Sequence, residues 1–164
     1  MRIGIALGSN LGDREANLRA AVAAIREVAE SPVLFSRVYE TEPVDCPPDA
    51  AAFLNAAMEI GYSGDIHILL QYLQSIESQR GRPLLRDKNS PRTIDLDILY
   101  AGDLVLNDPE LILPHPRIAE RFFVLLPLND IVPELRLPKQ ISTIRELSIL
   151  AINEECKVTD IILF

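Results

Sequence analysis

Hydrophobic and polar positions along the chain alternate with two different periods, and the changes between them mark out the elements. "RIGIAL" (2–7) is a short apolar strand closed by the turn "GSNLGD". Leu18, Ala21, Val22, Ile25 and Val28 then recur at helical spacing, with Asp13 or Asn10 available as the cap and Ser31-Pro32 as the stop. "VLFSRVYETEPV" and "AAFLNAAMEIGY" predict two extended segments, separated by "VDCPPDA", whose two prolines suit neither helix nor strand. In the second, Leu54, Ala56, Met58 and Ile60 face a core, and Phe53, Asn55, Ala57 and Glu59 the other side. "GDIHILLQYLQSIESQRG" is the clearest helix: Asp65 caps it, Ile66, Leu69, Leu70, Leu73 and Ile76 form its stripe, and Gly81 ends it. A loop, "RPLLRDKNSP", leads to the strand "TIDLDILY", and "AGDLVLN" predicts a turn into a partner strand. Pro116 opens a further helix through "RIAERFFVLL", which Pro127 interrupts, and the last thirty residues supply a helix and a terminal strand. This order predicts one α+β domain over residues 1–164, a mainly antiparallel sheet with helices packed on one face.

Composition narrows the function classes. With 48% hydrophobic residues the chain can bury a core, and few aromatics with no Trp make that core aliphatic. Sixteen basic against 24 acidic residues give a net charge of −8, the wrong sign for a duplex nucleic-acid binder. Cys46 and Cys156 lack metal-ligand spacing and read as free thiols. No apolar run is long enough to span a membrane, and "MRIGIALGSN" turns polar too soon for a secretory signal. The expectation is a cytoplasmic monomer acting on small molecules, with neither nucleic acid nor membrane as partner.

Chemistry enters at "SPRTIDLDILYAG". On a strand, Thr93, Asp95, Asp97 and Leu99 share one face, and Ile94, Leu96, Ile98 and Tyr100 the other. The two acids then stand ~6.6 Å apart at their Cα atoms. They repel unless a cation lies between them or solvent screens them. Mg²⁺ is the natural candidate, since it takes one or two carboxylates together with substrate phosphates.

The preceding loop strengthens that reading. Arg80, Arg82, Arg86, Lys88 and Arg92 put five of the chain's sixteen cations in thirteen residues, opposed only by Asp87. Guanidinium forks beside metal-binding acids suit a polyphosphate. Glu77 and Gln74 lie at the edge of the helical stripe, where Glu77 either pairs with Arg80 at the surface or lines a cleft beside the acid strand. His115 is held between Pro114 and Pro116, with Arg117 and Arg121 following as a possible anion site. "LGSNLGDR" lacks both the Lys-Ser/Thr of a Walker A loop and the third glycine of a dinucleotide fingerprint, and reads as a structural turn and cap. His67 reads as structural too.

Together these residues resemble the 6-hydroxymethyl-7,8-dihydropterin pyrophosphokinase family. The resemblance is carried by "LGSNLGDREANL", "YETEPV", "FLNAAMEI", "IESQRGR", "SPRTIDLDILYAG", "LILPHPRIAERFFVLLPL" and "IVPEL", in the family's order, over residues 3 to about 135. It implies a ferredoxin-like α/β sandwich and transfer of the pyrophosphoryl group of ATP to a pterin's hydroxymethyl oxygen, with release of AMP, in folate biosynthesis. By matching motif it implies two Mg²⁺ ions on Asp95 and Asp97, with Arg82 and Arg92 steadying the moving phosphates. Gln74, Glu77, Arg92, the backbone near Ile98, His115 and Arg121 would line the ATP site. The Pro43-Val44 backbone, Phe53, Asn55 and Phe123 would hold the pterin. Phe53 and Asn55 already share the non-core face, where a phenyl ring can stack on a flat bicycle and an amide can pair with its edge. Strict alternation sets Arg92 opposite Asp95, so its role follows from the resemblance and from Pro91 loosening the strand's start. Some members carry an Arg and an aromatic where this chain has Leu84 and Asn89, with Arg86 available to supply the charge. Residues 136–164 match no pattern of the family and stand as an extension of unassigned role.

Two rival readings keep part of this picture. A nucleotidyltransferase or phosphohydrolase would use the same metal site and yield different products. A small-molecule sensor of ferredoxin-like type would bind its ligand without Mg²⁺ and leaves the cation cluster beside two acids without a purpose.

Overall fold

A computed structural model describes residues 1–42, 51–79, 92–150 and 156–163. The elements are β1 (Arg2–Ser9), α1 (Arg14–Val28), β2 (Glu30–Phe35), β3 (Tyr39–Thr41), β4 (Phe53–Gly61), α2 (Ile66–Gln79), β5 (Asp95–Ala101), β6 (Leu106–Asn107), β7 (Ile112–Leu113), α3 (Phe122–Ile131), α4 (Ile144–Leu150) and β8 (Cys156–Val158). The main sheet runs β5-β1-β4-β3-β8, with β2 also on β4, and every described pairing is antiparallel. This is the α+β class that the periodicity predicts.

Local signals act as expected in both early helices. Asp13 caps α1 by accepting the Ala16 N–H at 3.0 Å, and Asp65 caps α2 by accepting the His67 N–H at 2.7 Å. Their apolar stripes pack with Ile3, Ile5, Leu7, Leu54, Ala56, Met58, Ile60, Leu96 and Ile98 in one buried cluster. Helix α1 ends at Val28, ahead of Ser31-Pro32, which already lies in β2.

Four expectations are corrected. Helices cover both faces of the sheet, because α3 and α4 form a second buried cluster over Ala57, Leu99 and Tyr100. Helix α3 runs on through Pro127, whose neighbours Val124, Leu125 and Leu128 are buried, so packing outweighs the backbone bond that proline removes. The break falls earlier, where Ile118–Glu120 form a single 3₁₀ turn ahead of α3. "VLFSRVYETEPV" divides into β2 and β3 at Ser36, whose N–H donates to Ala57 O at 2.9 Å and whose hydroxyl accepts the Ala57 N–H at 2.8 Å. Finally, β6 pairs with β7 rather than with the acid strand.

The C-terminal stretch continues the same body. Leu137 and Ile144 join the second cluster, and β8 extends the sheet beyond β3. Its Cys156 is a free thiol whose pKa burial raises, while Cys46 lies outside the described residues. Among the described residues no helix is long and apolar enough to cross a membrane.

Candidate active site

The site forms where β4, β1 and β5 run side by side. On β1, Gly8 is the cross-strand partner of Asn55 on one side and of Asp95 on the other, and Ala6 likewise stands between Ala57 and Asp97. Asn55 and Asp95 are therefore two strand spacings apart, roughly 10 Å, across a floor of small residues. A Cβ on Gly8 would lie 3.3 Å from Asn55 Oδ1 and 3.9 Å from both the Asp95 Cβ and the Phe53 ring. Asn55 and the Phe53 ring thus lie on the same face of the sheet as Asp95. Asn55 is buried and oriented, its Nδ2 donating to Thr41 Oγ1 at 2.8 Å.

Both aspartates project from this face, and each meets a guanidinium. Arg92 Nη1 pairs with Asp95 Oδ2, and Arg121 Nη1 stands 3.9 Å from Asp97 Oδ2. Arg92 precedes β5, so strict alternation does not govern it, and its side chain folds back onto Asp95. Its Nε is buried without a hydrogen-bond partner among the described residues, a donor in search of an acceptor such as a phosphate oxygen. Arg121 lies with its guanidinium carbon 5.6 Å from the centre of the Phe123 ring, linking Phe123 to the acid pair. Burial and then Arg117 lower the Arg121 pKa, and Asp97 and Asp95 oppose them.

Alternation breaks at one point on β5. Ile98 pairs with Ile5 and Tyr100 with Gly4, so Leu99 is an extra residue, a β-bulge. Tyr100 therefore joins Leu99 in the second cluster, contrary to the alternation read from sequence. The bulge also positions His115, whose N–H donates to Leu99 O at 2.7 Å.

His115 Nδ1 accepts the Arg117 N–H at 3.2 Å, which leaves the ring proton on Nε2. Burial lowers the His115 pKa, Arg121 and Arg117 lower it further, and Asp95 partly opposes them. The native imidazole is thus a neutral donor, while in the unfolded chain it takes up a proton near its ordinary 6.5. The unfolded state then binds more protons below that pH, so stability falls as pH drops from about 6.5 towards the lowered value. Melting curves of the parent and of His115→Gln from pH 7.5 to 5 should show the parent losing more stability below pH 6.5. Parallel curves would refute the assignment.

Glu77 is buried on α2, and its Oε1 accepts the Leu96 N–H at 2.9 Å. It therefore sits beside the acid strand, satisfying a backbone donor that an end strand would otherwise leave open. Gln74, one turn earlier, is exposed, and Ile98 is buried with its backbone on the end strand. Pro43, Val44, Arg80, Arg82, Leu84, Arg86, Lys88 and Asn89 lie outside the described residues. Sequence reasoning missed Gly8 as part of the site. Gly8 reads as part of the closing turn, whereas β1 runs on to Ser9, and which residues Gly8 faces is set only by pairing with β4 and β5.

Among the described residues no group of three or more His, Cys, Asp or Glu could hold an ion, so a closed protein cage is absent there. Two carboxylates on one face, with side chains 19% and 41% exposed, fit the Mg²⁺ pattern of few protein ligands completed by phosphates.

Comparison with known proteins follows the same lines. Residues 4–133 match the family described as 7,8-dihydro-6-hydroxymethylpterin-pyrophosphokinase. The chain is 46% identical over 132 residues to the Bacillus subtilis 2-amino-4-hydroxy-6-hydroxymethyldihydropteridine pyrophosphokinase, covering 80% of this chain and 78% of that one. It is 42% identical over 128 residues to an Arabidopsis thaliana folate synthesis bifunctional protein, covering 78% of this chain and 26% of that one. Among solved structures it resembles Plasmodium falciparum HPPK-DHPS, with a TM-score of 0.70 at 16% identity, covering 96% of this chain. It spans somewhat under half of that solved chain, 46%.

Proposed function

The chain belongs to the 7,8-dihydro-6-hydroxymethylpterin-pyrophosphokinase family, whose activity is pyrophosphoryl transfer to hydroxymethyldihydropterin in folate biosynthesis, and we propose how its residues perform that transfer. ATP supplies the group, the pterin's hydroxymethyl oxygen attacks the β-phosphorus and gives up its proton to water, the bond from that phosphorus to the α,β-bridging oxygen breaks, and AMP leaves. Asp95 and Asp97 would hold Mg²⁺, two ions by the family resemblance, which would neutralise triphosphate charge. Arg92 is the guanidinium that follows the moving phosphates, and Arg82 is proposed as its companion. Arg121, the His115 Nε2–H, Gln74, Glu77 and the backbone at Ile98 form the nucleotide side. Phe53 and Phe123 stack the pterin, Asn55 pairs with its edge, and the Pro43-Val44 backbone completes that pocket.

One observation carries this reading: the Asn55–Gly8–Asp95 row, which sets an oriented amide and a guanidinium-lined acid pair about 10 Å apart across a glycine floor. That spacing suits a flat ring at one end and a phosphate chain at the other, brought into line by positioning. The test is mass spectrometry after incubation with ATP, Mg²⁺ and 6-hydroxymethyl-7,8-dihydropterin. AMP and the pterin diphosphate are expected in equal amounts. Release of ADP or inorganic pyrophosphate, or ligand binding without turnover, would overturn the reading.

A further inference from the structure

We propose that Asn10 is a positioning residue for Arg92, and that the "GSN" turn at the end of β1 sets where that guanidinium meets the phosphates. The inference rests on the role proposed for Arg92 above. Strand pairing between β1 and β5 ends at Gly8 and Asp95. Beyond it, the Arg92 N–H donates to Asn10 Oδ1 at 2.7 Å, and the Asn10 N–H donates to Arg92 O at 3.0 Å. These two bonds close a ring that holds the Arg92 backbone from both sides. Ser9 adds a third, its hydroxyl donating to Thr93 O at 2.5 Å.

The turn is itself held. Ser9 and Asn10 are buried, at 0% and 3% exposure, and Asn17 Nδ2 donates to Leu11 O at 3.0 Å. Asn10 Nδ2 also reaches Ala51 O at 3.5 Å, and Arg14 Nη1 donates to Ala52 O at 2.7 Å. One side chain therefore bonds both Arg92, three residues ahead of the acid strand, and the segment entering the Phe53 strand. Asn10 does not cap α1, since Asp13 does that, so its side chain is given over to this link.

A guanidinium on a long flexible stem reaches its target only as well as its Cα is placed. Deleting the Asn10 amide frees the Arg92 N–H and lets that Cα drift. A displacement near 1 Å costs about a hundredfold in rate in a positioning-dominated reaction. Asn10→Ala should therefore lower kcat about tenfold or more while KM values move less than about threefold, because Asn10 is not among the residues proposed to bind either substrate.

The test is a kinetic cycle with Asn10→Ala, Arg92→Ala and the double variant, following AMP release with ATP, Mg²⁺ and the hydroxymethyl pterin. If Asn10 acts through Arg92, its substitution should cost less than about twofold once Arg92 is alanine. Asn10→Asp keeps the acceptor for the Arg92 N–H and should stay within about threefold of the parent. Equal costs in the two backgrounds, or Asn10→Asp no better than Asn10→Ala, would overturn the inference. Should Asn10→Ala fail to fold, Asn10→Ser, too short to reach the Arg92 N–H, replaces it with the same expected outcomes. A parent chain that releases no AMP sinks the functional reading and this inference with it. An active parent with additive costs sinks the Asn10 assignment alone.

Discussion

Asp97→Ala and Asp95→Ala should each abolish turnover, by about a thousandfold or more, while leaving pterin binding nearly intact. The acids lie two strands from Asn55 and face guanidiniums rather than the proposed ring site. Removing either one would deprive the triphosphate of the cation anchor proposed for it and leave Arg92 or Arg121 without its carboxylate. The groups proposed to bind the pterin are unchanged, so titration with a pterin ligand should give a Kd within a few-fold of the parent's. Near-normal AMP release by either variant at saturating Mg²⁺ would rule out the metal assignment.

The second large effect is on stability. Gly4→Ala should destabilise the fold by about 3 kcal/mol or more, lowering Tm by roughly 6–12 °C for a chain of this size. Gly4 is the cross-strand partner of both Glu59 and Tyr100, and the Tyr100 ring passes directly over it. A Cβ there would meet three ring carbons at 2.2, 2.6 and 2.8 Å. The ring has nowhere to go. It is 1% exposed, and its hydroxyl donates to Glu59 Oε2 at 2.6 Å. Glu59 is in turn held by Arg2, whose Nη2 lies 2.6 Å from Oε1. Burial, then the bond to Glu59, drives the Tyr100 pKa far upward, so the phenol remains a donor throughout the ordinary pH range. A melting temperature within about 2 °C of the parent's would show that the sheet opens to admit the methyl group, against the overpacking argument.

Much of this site was legible in the residues because it depends on period and local charge. A period of two puts Asp95 and Asp97 on one side of β5, and Phe53 and Asn55 on the corresponding side of β4, whatever else the chain does. The core-facing set Leu54, Ala56, Met58 and Ile60 follows from the same rule, as does the α2 stripe from a period of 3.6. Those rules fail where a distant contact intervenes. The bulge at Leu99 moves Tyr100 to the other face, and no feature of "DLDILYAG" by itself announces an extra residue. Pro127 reads as a helix breaker until the packing of α3 over β4 is known.

By itself, then, the sequence determined the element types, their caps, the apolar faces and the pairing of two acids with nearby cations. Each depends on residues within a turn or two of one another, where spacing dictates direction. Only the tertiary structure decided that α3 and α4 cover the second face, that Arg121 answers Asp97, and that Glu77 closes the edge of the acid strand. It alone brought Asn10 to Arg92, 82 residues away along the chain. Such contacts are chosen by strand order and by the need to satisfy every buried donor, and neither is written in the spacing of any one segment.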